Sequence, residues 1–257
     1  MKELFNNIRF YILLFSITFS VGIYFFITSS TITSTQTQII RLEQIYALTA
    51  VIYLYLALLA GPFCYTFPAF PLKVEYLKAR RALGVSAFYF ALIHAWVAFF
   101  GQLGGFAGIP FLNDRYLLAL TCSLIALLIL SLLAATSFDA VIKKITFPRW
   151  KFLQRFVYLS GILILIHALM LGTHFSDLSE TIPLLLFFFI GFLFILEGQR
   201  IDVYLHKKIN LNPRFHISLL IIIVLMIFLF FRYVNPFGEN HSSINIHSEH
   251  MTHSENQ

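Results

Sequence analysis

Charge is scarce in this 257-residue chain. Asp, Glu, Lys and Arg together make up 12% of it, where a soluble domain carries roughly 25%. Cysteine is scarcer still. Cys64 and Cys122 form no C-x-x-C pair, no C-x-x-C-H haem attachment and no zinc spacing, so a disulfide-stapled secreted domain and a covalently tethered haem are excluded. Their predicted depths also differ, Cys64 near the inner face and Cys122 toward the outer one, which makes a bridge between them geometrically unreasonable. Gly101, Gly104, Gly105 and Gly108 cluster, but no strand precedes them, so they make no phosphate-binding loop. No Ser-His-Asp arrangement and no paired-carboxylate site stands out.

What is abundant is apolar. Hydrophobic residues make up 59% of the chain, Phe occurs 30 times, and mean hydropathy is +0.81. Such a chain has too many apolar side chains for one core of this size and too few charges to coat it. A membrane is the solvent that fits. A disordered tail protein and an ordinary cytosolic enzyme are ruled out at this step.

Seven windows reach the roughly 20 apolar residues that a spanning helix needs: 9–28, 42–63, 81–103, 116–137, 152–173, 181–199 and 216–233. The eight prolines fall between them or at their ends, as intact spanning helices require. The first run is long for a signal peptide and lacks an obvious small-x-small cleavage site, so it reads as a retained helix. Fifteen of the eighteen Lys and Arg residues fall on one side of this alternation, leaving Arg41, Arg115 and Arg232 on the other. The positive-inside rule then puts the N-terminus in the cytoplasm and the tail outside. The same asymmetry explains the net charge of +6 as a topology signal, with no nucleic-acid partner implied; a basic docking face for an acidic protein stays open.

Two histidines lie well within predicted spans, His94 in the third and His167 in the fifth. Ionisable groups inside a span are costly and usually face the bundle interior. Both helices run outward, and at 1.5 Å per residue both imidazoles sit roughly 20 Å above the inner boundary. Two imidazoles at one depth can take the two axial positions of one haem, and neutral imidazole is a good ligand for haem iron. The face of His94 otherwise carries Gly84, Ala87, Ala91, Ala98, Gly101 and Gly105. That shaved surface suits a flat macrocycle, while close helix packing also selects small residues. Near His167 stand Gly161, Ala168 and Gly172, a weaker version of the same pattern.

The stretches RRALGVSAFYFALIH (80–94) and WKFLQRFVYLSGILILIH (150–167) resemble the signature helices of the ferric-reductase-like transmembrane domain. Within that superfamily they are most similar to the haem-binding membrane subunit of the bacterial periplasmic methionine-sulfoxide reductase system. The likeness covers roughly residues 41–205. It implies an all-α integral membrane protein of the plasma (inner) membrane, a six-helix bundle binding one b-type haem, with a seventh transmembrane helix added here. His94 and His167 are the implied axial ligands. The family pattern L-H-R-x-V-Y-L reads LQRFVYL here, with Gln154 in the place of the histidine, which counts against a second, inner haem. Gln154 could instead bond a propionate, a quinone or a flavin such as FMN, and Arg155 could anchor a propionate or phosphate.

The expected organisation is a first helix and outer loop (1–40), the haem-binding core (41–205), an additional transmembrane helix (206–234) and a His-rich extracytoplasmic tail (235–257). His174 lies seven residues beyond His167 on the same face, placed as an alternative ligand or a propionate partner. The tail holds His241, His247, His250 and His253 beside Glu249 and Glu255, a composition suited to Zn, Cu, Ni or oxidised iron. No strand–glycine-loop–helix unit occurs, so electrons must come from a separate donor, a quinol or a cytosolic flavin reductase. The acceptor outside would be a ferric or cupric ion or a periplasmic reductase. The competing reading is a haem-free transporter subunit whose histidines relay protons or metal ions. The spans are nearly devoid of charge, with Glu197 as the main exception, and that argues against a polar transport path.

Overall fold

The computed structural model describes residues 7–29, 34–171 and 181–209, and every regular element among them is helical. The chain order is α1 (Ile8–Thr28), α2 (Thr35–Thr66), α3 (Lys73–Trp96), α4 (Asp114–Ala135), two short helices α5 (Asp139–Lys144) and α6 (Phe147–Gln154), then α7 (Phe156–Leu171) and α8 (Thr181–Ile209). Five stretches among the described residues are long and apolar enough to cross a membrane: α1, α2, α3 with its extension to Gln102, α4, and α6 with α7. The protein is therefore a multi-pass membrane protein. The sixth expected span coincides with α8. The seventh, and the tail with it, lie outside the described residues.

Several helices outrun their apolar windows, and polar contacts explain why. Ser34 caps α2 by accepting from Thr37 N at 3.3 Å, which starts the helix seven residues before the apolar run. Pro62 sits in its penultimate turn, where losing one backbone donor still lets the helix run on to Thr66. The inner part of α3 is polar, and α2 carbonyls hold it: Tyr76 Oη donates to Leu56 O at 2.8 Å and Arg80 Nε to Ala57 O at 3.1 Å. The fifth expected span is two helices. The chain breaks at Arg155, whose N–H bonds back only three residues, to Phe152 O at 3.0 Å.

Just beyond His94, α3 widens into a π-helical turn over Val97–Gln102, a feature common near functional sites. Gly104 and Gly105 follow with φ of 73° and 74°, left-handed values that glycine alone adopts freely. They turn the chain into a 3-10 helix over Gly105–Phe111.

The most extensive pairing is α2 with α3, and the second is α4 with α7; α1 lies against α3, and α8 against α2. At the centre Phe90 is fully buried, stacked on Tyr53 at 5.5 Å between centroids and edge-on to Tyr89 at 5.4 Å. Helix α1 joins by hydroxyls. Ser16 Oγ lies 3.0 Å from Tyr53 Oη and 2.8 Å from Ser86 Oγ, while Ser20 pairs with Tyr89 Oη at 2.7 Å. Without a hydrophobic force between helices in lipid, such contacts supply part of the association energy.

One end of the bundle gathers the basic loops. Asp139 pairs with Arg81 at 2.6 Å and Arg9 at 3.6 Å, Arg9 Nε donates to Lys78 O, and the Arg81 guanidinium carbon lies 5.3 Å from the centroid of Trp150. The start of α1, the start of α3 and the α4–α7 connection thus share one face, the one that the charge asymmetry assigns to the cytoplasm.

Candidate functional site

The structure brings His94 of α3 and His167 of α7 together, with ring centroids 6.4 Å apart and planes at 76°. The two helices share no packed seam of their own. Their neighbours set the spacing, α2 beside α3 and α4 beside α7. Those neighbours also orient the rings. His94 Nδ1 lies 3.1 Å from the carbonyl oxygen of Glu43 on α2, and His167 Nδ1 lies 3.0 Å from that of Ala119 on α4. A carbonyl only accepts, so each Nδ1 carries the proton and each Nε2 is left as a lone-pair donor. A backbone carbonyl on the far ring nitrogen is the usual means of fixing a metal-binding imidazole.

Both anchors sit near helix starts, Glu43 eight residues after Thr35 and Ala119 five after Asp114, which puts the pair toward the outer end. Two imidazoles that share one metal through bonds of about 2 Å stand with ring centres roughly 6 Å apart. The observed separation meets that requirement. Among the described residues no group of three or more His, Cys, Asp or Glu is placed to hold a metal ion.

The small-residue face of α3 divides between two tasks. A Cβ at Gly101 would lie 2.8 Å from Ile39 Cγ2, so this glycine admits α2. A Cβ at Gly84 would meet nothing within 4 Å, and α7 opposite buries just Ser160. Glu43 also presents its carboxylate to the Gln102 amide, which ties the π-helical turn to α2 beside His94.

The other expected site residues fare differently. Gln154 turns away from the histidines: Nε2 lies 3.4 Å from both Leu133 O and Thr136 Oγ1 at the end of α4. Trp150 Nε1 donates to Thr136 O at 3.0 Å, so these two side chains tether α6 to α4. Arg155 is exposed at the helix break, and among the described residues no carboxylate pairs with it. His174, His241, His247, His250 and His253 lie outside the described residues. Cys64 and Cys122 are free thiols.

The sequence reading passed over a polar cluster in the inner half. Tyr158 Oη of α7 donates to Glu197 Oε1 of α8, and Glu197 Oε2 lies 3.2 Å from Arg200 Nη1. Arg200 and Arg80 converge on Gly61 of α2, their Nη1 atoms 3.1 Å and 3.7 Å from where its Cβ would stand. Arg80 and Arg200 had counted only as topology charges. The available signal was Gly61, a bare position facing two long cations.

Residues 46–166 match the family model for the ferric reductase like transmembrane component. That segment, which ends one residue before His167 and contains His94, is similar to the ferric-reductase-like transmembrane domain, a class associated with electron transfer across membranes. No curated protein and no solved structure matches the chain.

Proposed function

We propose that the protein is a transmembrane electron-transfer subunit of the plasma (inner) membrane, holding one non-covalent b-type haem between His94 and His167. The observation that carries this reading is the imidazole pair itself: two rings at metal-sharing distance, each with Nδ1 engaged by a backbone carbonyl and Nε2 left free. The family match over residues 46–166 supports it from a separate direction. When bound, the haem would supply a one-electron carrier, and His94 and His167 would hold its iron.

The chain's own residues do the rest. His94 and His167 fix the carrier toward the outer end, and the carbonyls of Glu43 and Ala119 hold the ring orientation. Electrons enter from the cytoplasmic side, from a quinol or a cytosolic flavin reductase. They leave outward to a ferric or cupric ion or to a periplasmic reductase. The outward position of the pair supports that direction, and the composition of the His-rich tail suits metal capture.

The test is the visible spectrum of the purified, haem-replete protein after dithionite reduction. A six-coordinate low-spin b-type spectrum is expected, abolished or converted to a five-coordinate form by His94→Ala and by His167→Ala. A colourless protein would return the histidines to the haem-free transport reading.

A further inference from the structure

The connection between α4 and α7, residues 136–155, carries five cations against one acid. That acid, Asp139, is spent outside the segment, on Arg81 and Arg9. Lys143, Lys144, Arg149, Lys151 and Arg155 are exposed, and among the described residues none of them pairs with a carboxylate. Aromatic rings stand between these cations: Phe138, Phe147 and Phe152 are each 62–63% exposed. Helix α6 sorts its side chains by face. Trp150, Leu153 and Gln154 are half-buried toward the bundle, while Phe147, Arg149, Lys151 and Phe152 are exposed. The inward side is fastened to the end of α4 by Trp150 Nε1 on Thr136 O and by the Gln154 amide, and to α3 by the Arg81 guanidinium over the Trp150 ring. The outward face is thus held at a fixed height on the bundle.

A basic face with exposed rings suits an anionic leaflet or an acidic protein, and the position of the rings decides between them. Phe147 opens the stretch 147–171 that is long and apolar enough to cross a membrane, and Phe138 stands three residues past the end of α4. The rings therefore enter where hydrocarbon begins, and the cations between them fall at the level of the lipid head groups. A short basic segment with Phe on its apolar side lies in that interface plane. With no carboxylate of the chain to neutralise the cations, the anion must come from outside it. We propose that the α5–α6 connection is an interfacial strap that binds anionic phospholipid. Lys143, Lys144, Arg149 and Lys151 take the phosphates, with Arg149 able to do so through two parallel N–H bonds, and Phe147 and Phe152 lie against the acyl chains. A zwitterionic lipid offers the same phosphate but brings a cation of its own, so the strap selects for net negative charge.

The experiment uses the full-length protein in mixed micelles of neutral detergent and phosphatidylcholine. A fixed share of the lipid is replaced either by phosphatidylglycerol brominated high on its acyl chains or by phosphatidylcholine brominated in the same way. The chain has two tryptophans, Trp96 and Trp150, so Trp96→Phe leaves a reporter on the strap and Trp150→Phe leaves one toward the outer end. Trp150 is expected to be quenched about fivefold more strongly by the anionic lipid, the effect of about one cation near a charged leaflet, and high salt should remove the excess. Trp96 should be quenched equally by both lipids. Lys143→Gln, Lys144→Gln and Lys151→Gln together should abolish the preference at Trp150, whereas Lys143→Arg, Lys144→Arg and Lys151→Arg together should keep it. All three side chains are exposed, and an unchanged thermal unfolding midpoint checks that the bundle is intact. Equal quenching of Trp150 by the two lipids would overturn the proposal, as would a preference that survives the three glutamine substitutions or appears at Trp96 as well. Equal quenching together with capture of poly-glutamate by the wild type, lost in the glutamine variant, would assign the face to an acidic protein instead. The readout needs no haem, so its outcome stands apart from the electron-transfer reading.

Discussion

His94 and His167 stand at 76° to one another across 6.4 Å, each ring fixed by a carbonyl on a helix other than its own. The angle has a spectroscopic consequence. Two axial imidazoles with nearly perpendicular planes leave the iron d orbitals almost degenerate, so the oxidised protein is expected to give a highly anisotropic low-spin EPR signal. A rhombic signal of the kind given by parallel imidazoles would mean that at least one ring leaves its carbonyl when the cofactor binds.

Gln154 provides a test of what the resemblance carried over. Its amide is spent on Leu133 O and Thr136 Oγ1, which makes it a tether between α6 and α4. Gln154→Ala is expected to cost about 1 kcal/mol of stability, the usual net worth of a hydrogen bond, with haem content and spectrum unchanged. Loss of half the haem on this substitution would show a second cofactor that the side chain contacts directly.

Residue counting from the apolar windows, thirteen positions past Arg81 and fifteen past Phe152, was enough to expect the two histidines side by side, although the helices themselves start at Lys73 and Phe156. What spacing could not show was which nitrogen is free, since that depends on Glu43 and Ala119, carbonyls whose side chains carry no signal. The small face of α3 was visible as a pattern, but its two uses were not, because Gly101 and Gly84 differ only in what lies opposite. The Tyr158–Glu197–Arg200–Arg80 cluster draws on three helices distant in sequence. Each member has an ordinary local explanation, and only the fold brings them together.

The approach of α2 to the π-helical turn depends on the missing side chain at Gly101. A Cβ there would stand 2.8 Å from Ile39 Cγ2, well inside contact distance, and Ile39 is β-branched with little rotamer freedom to yield. Gly101→Ala is therefore expected to cost about 1–3 kcal/mol through overpacking. The displacement falls one to two turns beyond His94, so the haem spectrum or potential should shift as well. Adding Ile39→Ala should restore most of both, a coupling that thermal unfolding of the two single variants and the double variant would measure. Simple additivity of the two losses would mean that the helices had already moved apart.

Helix α1 precedes the segment that matches the family and packs on α2 and α3 away from the histidines, so its contribution should separate from the cofactor. Its best-buried contact is Ser16, 1% exposed, beside Ser86 at 0%. Their hydroxyl oxygens lie 2.8 Å apart, with Tyr53 Oη at 3.0 Å. Hydrogen bonds between membrane helices average under 1 kcal/mol, because in lipid the separated helices find other partners. Ser16 Oγ also lies 2.8 Å from Ile12 O in its own helix, so its alternative partner is already present. Ser16→Ala should therefore cost about 1 kcal/mol or less, whereas Ser16→Leu should cost several, because the added volume must enter a seam closed by Tyr53 and Ser86. Haem content should be unaffected by the alanine variant. Unfolding in graded denaturing detergent provides the measurement. An alanine variant as damaged as the leucine one would show that the hydroxyl network, and not the close approach of the helices, holds α1 in place.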